Sequence, residues 1–193
     1  MPDRSLADQV CLTLVVQGAS HGWAVGSLLA RGAEVGRVWS LSRPLTYRAL
    51  EGLAVDGFVV HAGTVPGGGR PRTLLRSTAK GRRASAAWLR TPVEHVRDVR
   101  TELLVKLVLL ERAGDDPSAL LAAQREVFEP LFAALDTPEV DDVVELWRRE
   151  TARSVRRFLD AASASASASA SAANTSGANP SAAVTGPGAP TAT

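Results

Sequence analysis

Arginine side chains beside glycines are the residues of this chain best suited to a chemical task, and they concentrate between positions 42 and 76. A segment with helical spacing, SRPLTYRALEGLAVDGFVV, leads to a turn, VPGGGRPR, and a short apolar run. Arginine is the commonest donor to guanine edges and also binds phosphates, and glycines let a backbone come close to a duplex. The stretch therefore predicts a surface for double-stranded DNA. Its candidate contacts are Ser42, Arg43, Tyr47, Arg48, Arg70 and Arg72.

Other interpretations compete with DNA contact at this turn and at the start of helix two. A nucleotide-phosphate loop is disfavoured, because no GKS or GKT follows the glycines and they precede a predicted strand instead of a helix. Taken alone, the turn is typical of a solvated hairpin. The arginine-bearing helix beside it makes DNA contact the favoured interpretation. Ser20 and His21 are further candidates, because amides at a helix start can bind phosphate. A plain helix cap explains these two residues equally well.

Metal binding and catalysis find little support in the sequence. His21, His61 and His95 lack metal-ligand spacing, and none lies near Cys11 in a recognisable catalytic motif. Cys11 is the single cysteine and lies in an apolar run, VCLTLVV, which indicates a core residue and fits a reducing compartment. The sequence therefore predicts no metal, no cofactor and no enzyme activity.

Tryptophan is the remaining residue type with binding potential, and the chain has four. Tryptophans are most often core or interface residues. The alternative is a sensor cavity near the dimer axis for a small aromatic or cationic effector, lined by some of the tryptophans, for which Trp23, Trp88 and Trp147 are the candidates.

Charge is divided unevenly along the chain. Residues 1–90 hold 12 Lys and Arg against 5 Asp and Glu, whereas residues 91–160 hold 10 against 15. The first part is suited to a polyanion, and the second is expected to stay away from DNA. No stretch approaches the ~18 apolar residues of a membrane helix, and the N-terminal apolar run lacks a signal-peptide pattern. A soluble cytoplasmic protein without a membrane partner is expected.

Helical spacing and capping residues predict the elements that would position the arginines. Helix one follows a capping box of Ser5 and Asp8. The full set is helix one at Leu6–Gln17, helix two from a Ser20 cap to near Gly32, helix three from a Ser42 cap to Gly57, strands at Phe58–His61 and Thr73–Arg76, and a helix from a Thr78 cap to Pro92. On helix three the arc expected to pack inside consists of Thr46, Ala49, Leu50 and Leu53.

A long apolar stripe runs from Pro92 to Ala113 at steps of three and four residues. Such a stripe has to be covered. Since two reading helices and two wings need a two-fold assembly, a second copy of the chain is the expected cover. The predicted homodimer interface consists of Val93, Val96, Leu103, Leu107 and Leu110.

The rest of the chain predicts two more helices and a tail. The helices are expected at Ser118–Leu135, interrupted by Pro130, and at Val140–Leu159. Residues 161–193 carry no charge and no large apolar side chain except Val184. Such a segment cannot bury enough surface to offset the entropy of ordering it, so a disordered Ala/Ser-rich tail is predicted.

Three motifs together resemble the PadR family of bacterial transcriptional regulators: GASHGWAVGSLL, TYRALEGLAVDGFV and PGGGRPRTLLRSTAKG. The likeness covers residues 7–89 well and residues 92–159 loosely. It implies a homodimer with an N-terminal winged helix and a C-terminal helical dimerisation region, usually a repressor whose grip on DNA a small molecule relaxes. On that resemblance Tyr47 matches the helix-three tyrosine, and Arg70 and Arg72 match the wing. Where the family usually has Thr then Leu before the helix-three tyrosine, this chain has Leu45 then Thr46. Leu45 is therefore expected to face DNA and Thr46 to be buried.

The sequence thus predicts a mainly α fold with a small β-hairpin wing. Residues 1–90 are expected to form a winged helix-turn-helix DNA-binding domain, residues 91–160 a helical dimerisation region, and residues 161–193 the tail. The predicted function is a dimeric DNA-binding regulator, a ligand-responsive repressor of the PadR type. The alternative is a winged-helix module that binds another protein without reading DNA.

Overall fold

The computed structural model describes residues 4–66, 71–136 and 142–176. Its fold is mainly α with one two-stranded antiparallel hairpin, as the sequence predicts. The α-helices are α1 (Leu6–Val16), α2 (Gly22–Leu28), α3 (Arg43–Val55), α4 (Ala79–Arg90), α5 (Val96–Asp98), α6 (Leu104–Ala113), α7 (Ser118–Ala133) and α8 (Val143–Ser176). The strands are β1 (Val59–Val65) and β2 (Arg72–Ser77).

Side-chain caps begin two helices at the places that the sequence predicts. The Ser5 hydroxyl accepts a hydrogen bond from the Asp8 amide at 3.2 Å ahead of α1. The Thr78 hydroxyl accepts one from the Gly81 amide at 3.0 Å ahead of α4. Each bond satisfies an amide that has no partner within the helix.

Helix α2 differs from the prediction at both ends. His21, not Ser20, is its N-cap, because the His21 Nδ1 accepts a hydrogen bond from the Ala24 amide at 3.0 Å. The helix ends at Leu28, whereas the sequence predicts an end near Gly32. The amides of Val35 and Gly36 bond to the Leu28 carbonyl, so turns replace the last predicted residues of the helix.

Helix α3 packs its predicted arc inward, on α1 and α2. Thr46, Ala49, Leu50 and Leu53 are all buried, as predicted. Helix α1 supplies the centre of this core, since every residue from Gln9 to Val15 is buried. The three helices and the hairpin that follows them have the element order of a winged helix.

The hairpin is longer than predicted and is bent. Its strands pair from Val59 opposite Ser77, and the register shifts between His61 and Thr64. Gly63 lies in the shift with a φ of 117°, a conformation that other residues rarely adopt. The backbone of α4 approaches β1 closely, because a Cβ on Gly81 would lie 2.1 Å from the Phe58 carbonyl oxygen.

The predicted stripe after Pro92 is helical from Val96, and one π-helical turn, Val99–Leu103, joins α5 to α6. The chain's own core covers most of this stripe. Val93, Leu103 and Leu110 are buried within a single copy, in the same cluster as residues of α1 and α7, and Val96 and Leu107 are partly buried.

The prediction that this stripe lies open for a second copy is therefore wrong for Val93, Leu103 and Leu110. Periodicity shows that a helix face must be covered, and it does not show whether the same chain covers it. Helix α7 also differs from the prediction, because it continues through Pro130 to Ala133 before a 3-10 turn, Ala134–Asp136.

Helix α8 extends well beyond its predicted end at Leu159. It continues to Ser176, so the first part of the predicted disordered tail is helical. Alanine is the best helix former, and Ala162 and Ala166 pack against the core one turn apart. The remainder of the tail, 177–193, lies outside the described residues.

Candidate nucleic-acid interface

The side of α3 opposite the core carries polar and basic side chains. Arg43, Arg48 and Glu51 are exposed, and Tyr47 is 48% exposed. Arg43 and Arg48 form no ion pair with any other residue that the structure describes. Their guanidinium groups are therefore available to an outside partner.

The exchange of Leu45 and Thr46 gives the two side chains different environments. Thr46 is fully buried, as predicted, whereas Leu45 is exposed, and its contact with DNA stays a prediction. The Thr46 hydroxyl donates a hydrogen bond to the Ser42 carbonyl at 3.0 Å, which satisfies it inside the helix. Leu45 thus adds an apolar side chain to the exposed side of α3, and such a side chain can pack against a thymine methyl group.

The Tyr47 ring lies over the start of α2. A Cβ on Gly22 would lie 2.4 Å from the Tyr47 Cε1, so only glycine leaves room for the ring in this position. The sequence signal for Gly22 is the HG pair within GASHGWAVGSLL. The role of this pair can be interpreted only when α2 and α3 are packed together.

Helix α2 and the hairpin are tied by their backbones. The Leu75 amide donates a hydrogen bond to the Ser20 carbonyl at 2.7 Å. This hydrogen bond holds strand β2 at the start of α2.

The His21 ring can donate a hydrogen bond to a partner. Because its Nδ1 accepts from the Ala24 amide, the proton of the neutral ring lies on Nε2.

Arg72, at the start of β2, stacks on Trp23. Its guanidinium carbon lies 4.9 Å from the centroid of the indole ring, within range of a cation–π interaction. Trp23 is 46% exposed, and its ring lies 6.2 Å from the His21 ring. The stack joins α2 to the wing through side chains.

A notch of about 700 Å³ lies where α2, α3 and the hairpin meet. It brings together three of the residues predicted to contact DNA, His21, Tyr47 and Arg72, and adds Trp23 and His61. Glu51 also lines it and is the one acidic residue there. Aromatic rings and an arginine around a concave surface suit contact with nucleotides.

The other predicted DNA contacts lie outside the notch. Ser42 is the exposed N-cap of α3, with no capping bond from its side chain, and Arg43 and Arg48 lie on the exposed side of the same helix. Ser20 is exposed before α2. Arg70 lies outside the described residues.

The predicted effector cavity is not formed within one chain. Trp23 lies in the notch, whereas Trp88 is 8% exposed and donates its Nε1 hydrogen to the Glu102 Oε1 at 2.9 Å. Trp147 is 72% exposed on α8 and lines a separate groove with Val96 and Phe158. Three different elements carry these tryptophans to different places within one copy, and a pocket near the dimer axis stays a prediction.

Other chemistry has little basis in the described residues. No group of three or more His, Cys, Asp and Glu side chains there is placed to hold a metal ion. Burial, with a smaller contribution from Asp8, raises the pKa of the Cys11 thiol to about 12, so this cysteine is a poor nucleophile. None of the helices in ranges 4–66, 71–136 and 142–176 is both long and apolar enough to cross a membrane.

Comparison with known proteins finds solved structures of similar fold and no sequence match. No protein-family profile matches the sequence, and no curated protein matches it. Among solved structures, the chain is similar to the crystal structure of Bacillus subtilis PadR in complex with operator DNA, with 16% identity and a TM-score of 0.44 over 84% of this chain and 97% of that one. A likeness this weak carries no information about what this chain binds.

Proposed function

We propose that the chain is a sequence-specific regulator that binds double-stranded DNA. The observation that carries the proposal is the exposed side of α3, where Arg43, Tyr47 and Arg48 lie opposite the buried arc, next to a hairpin that carries Arg72. An exposed helix fits the major groove, and arginines on it can bond both guanine edges and phosphates. The hairpin then contacts the backbone beside that groove.

The charge distribution supports the same side of the molecule. Residues 1–90 have an excess of cations, and residues 91–160 an excess of acids. Phosphate neutralisation would supply most of the affinity, so binding should weaken steeply with added salt. In this proposal residues 1–90 bind DNA and residues 91–160 join two copies.

Substitution of Arg48 and Arg72 separates base reading from phosphate contact. Arg48→Ala is expected to weaken binding to the specific site by about 1–3 kcal/mol and to relax the sequence preference. Arg72→Ala is expected to weaken specific and random DNA alike, with a salt slope smaller by about 1. The specific site comes from selection of bound sequences out of random DNA, and fluorescence anisotropy at several salt concentrations measures the affinities.

Arg125→Ala is the matched control for these variants. It removes the same charge from α7 and breaks only a surface ion pair with Asp160, which contributes little to stability. Binding should be almost unchanged in this variant. Equal losses on specific and random DNA for Arg48→Ala would contradict α3 as the reading helix, and a wild-type chain that ignores DNA at low salt would refute the proposal and favour a protein-interaction module.

The proposed homodimer uses the start of α8 in place of the buried stripe. Exposed apolar side chains cluster in the first turns of this helix: Val143, Val144, Leu146 and Trp147. Soluble domains rarely leave a contiguous apolar patch uncovered, so such a patch supports an interface. The groove that adjoins it contains Val96, one of the residues predicted for the interface.

Trp147→Glu is expected to weaken self-association at least about tenfold, because it places a charge where an aromatic anchor would be buried. Val127→Glu, on an exposed part of α7 outside the groove, should leave the oligomeric state unchanged. Sedimentation equilibrium measures both. A wild-type chain that remains monomeric at micromolar concentration, or a Trp147→Glu variant as dimeric as the wild type, would contradict this interface.

The finer proposal is a repressor that a small molecule releases from DNA. The groove beside α8 has a volume of about 990 Å³ and an apolar floor that includes Leu104, Leu131 and Phe158. Among the described residues, four arginines line the groove against one carboxylate: Arg97, Arg100, Arg148 and Arg149 against Glu145. This excess of positive charge disfavours a cation, so an aromatic compound without positive charge suits the groove better than the cationic effector that the sequence also allows. Release of bound DNA by such compounds would support this assignment.

A further inference from the structure

We propose that Trp23 is a positioning residue that holds Arg72 of the wing ready for a DNA phosphate. The inference rests on the proposed DNA-binding function and concerns how one residue of that surface orients another. Neither the helix spacing nor the glycine-rich turn points to Trp23 in this role, because α2 and β2 carry the two residues far apart in the sequence.

The partner of the arginine is an aromatic ring and not an anion. The Arg72 guanidinium carbon lies over the indole ring, 4.9 Å from its centroid, within the range of a cation–π contact. An aromatic ring does not pair with the fork of five N–H donors as a carboxylate does, so the donors remain for a bidentate bond to phosphate. A carboxylate partner would occupy these donors and cancel the charge.

No carboxylate competes for Arg72 within the described part of the chain. Glu51 lines the same notch, yet it forms no ion pair with Arg72. The stack thus orients the cation without neutralising it. This combination suits a residue that must bind an anion from outside.

The backbone around the stack is already fixed. The hydrogen bond from the Leu75 amide to the Ser20 carbonyl, 2.7 Å long, holds β2 against the start of α2 on the same strand as Arg72. The His21 ring, two residues before Trp23 in the chain, lies 6.2 Å from the indole ring. The freedom that remains is the rotation of the Arg72 side chain itself, and the indole restricts it. Restriction before binding reduces the entropy that DNA binding must overcome.

A double-mutant cycle on DNA affinity tests the coupling. Trp23→Leu is expected to weaken binding to specific and random DNA about fivefold, the range of a partly exposed cation–π contact, and Trp23→Phe should restore most of the loss because it keeps an aromatic face. In the Arg72→Ala background, Trp23→Leu should cause no further loss. Equal losses with and without the Arg72 side chain would overturn the inference.

A measurement without DNA distinguishes failure of this inference from failure of the proposed function. Ring currents should shift the Arg72 side-chain Nε proton in the NMR spectrum of the full-length wild type, and the shift should disappear in Trp23→Leu. An unchanged resonance would refute the stack, even in a chain that binds DNA. A wild type with the ring-current shift and no DNA affinity would refute the regulatory proposal and remove the role of the stack with it. Equal melting temperatures of wild type and Trp23→Leu would show that the fold is unaffected.

Discussion

Glu102→Leu is expected to lower the free energy of unfolding by about 3 kcal/mol, because it leaves a buried ammonium group without its counter-ion. Lys106 is 1% exposed, and its Nζ lies 2.7 Å from the Glu102 Oε1. The same oxygen accepts the hydrogen bond from the Trp88 indole. Glu102 is 31% exposed, so some water can reach the site, and the loss should lie at the low end of the range for broken buried pairs.

The double variant Glu102→Leu with Lys106→Met is the control that identifies the cause. Replacing both members of a buried pair by apolar residues is often neutral or stabilising. The double variant should therefore recover the part of the loss that the unpaired ammonium causes, and a smaller loss should remain because the Trp88 indole and the Thr91 carbonyl lose their partners. Urea unfolding followed by circular dichroism measures the free energies. A Glu102→Leu variant within about 0.5 kcal/mol of the wild type, or a double variant as unstable as the single one, would contradict the assignment.

The same pair predicts a dependence of stability on pH. Burial lowers the pKa of Lys106 from its usual 10.5, and the hydrogen bond to Glu102 opposes that shift. The unfolded chain then holds the proton more tightly than the folded one, so the contribution of Lys106 to stability rises with pH between the lowered pKa and 10.5. Cys11 acts in the opposite direction, because its raised pKa makes its contribution fall between pH 9.0 and about 12. The difference between wild type and Lys106→Met isolates the lysine.

Local signals in the sequence were sufficient for the parts of the fold that local physics decides. The caps at Ser5 and Thr78 and the buried arc of α3 depend on residues a few positions apart, and the structure has them where the sequence predicts. The sequence favours Ser20 as the cap of α2, because serine is a more usual capping residue than histidine. That choice depends on a side-chain rotamer, which the sequence does not contain.

Long-range packing explains the larger differences between the structure and the predictions from the sequence. The spacing of Leu103 and Leu110 shows a face that needs cover, and only the folded chain shows that its own helices provide it. Tail residues such as Ala166 have apolar side chains too small to predict packing from the sequence. They nevertheless extend a helix that has already formed. In the candidate interface, the chemistry of arginine and tyrosine predicts contact with DNA, whereas the sequence offers Trp23 only as part of an effector cavity. Its contact with Arg72 depends on how the hairpin folds back on α2.

Gln124→Leu is expected to lower the free energy of unfolding by about 3 kcal/mol, because it deprives two buried backbone groups of their partners. Gln124 is fully buried on α7. Its Oε1 accepts from the Val93 amide at 2.7 Å, and its Nε2 donates to the Val93 carbonyl at 2.9 Å. Val93 lies between α4 and α5, where no helical or strand bond serves its backbone. A side-chain amide that bonds both groups of one residue thus takes the place of secondary structure.

Gln9→Leu is the matched control for this prediction. Gln9 is also buried, on α1, but its Oε1 has no hydrogen-bond partner in the part of the chain that the structure describes. Removing an unpaired buried polar group costs no hydrogen bond and relieves desolvation, so this variant should be neutral or more stable. Urea unfolding of both variants gives the comparison, and equal losses would show that volume, not the bonds to Val93, sets the effect.

The segment that Gln124 holds is also held by Lys106, whose Nζ donates to the Thr91 carbonyl at 2.7 Å. Two buried side chains, one from α6 and one from α7, therefore hydrogen-bond the backbone of the connection after α4, at residues two positions apart. If the two sets of hydrogen bonds hold this backbone cooperatively, the losses of stability from Gln124→Leu and Lys106→Met should not add, because either variant frees the same backbone. Additive losses would mean that Thr91 and Val93 are held independently, and the same urea series decides between the two.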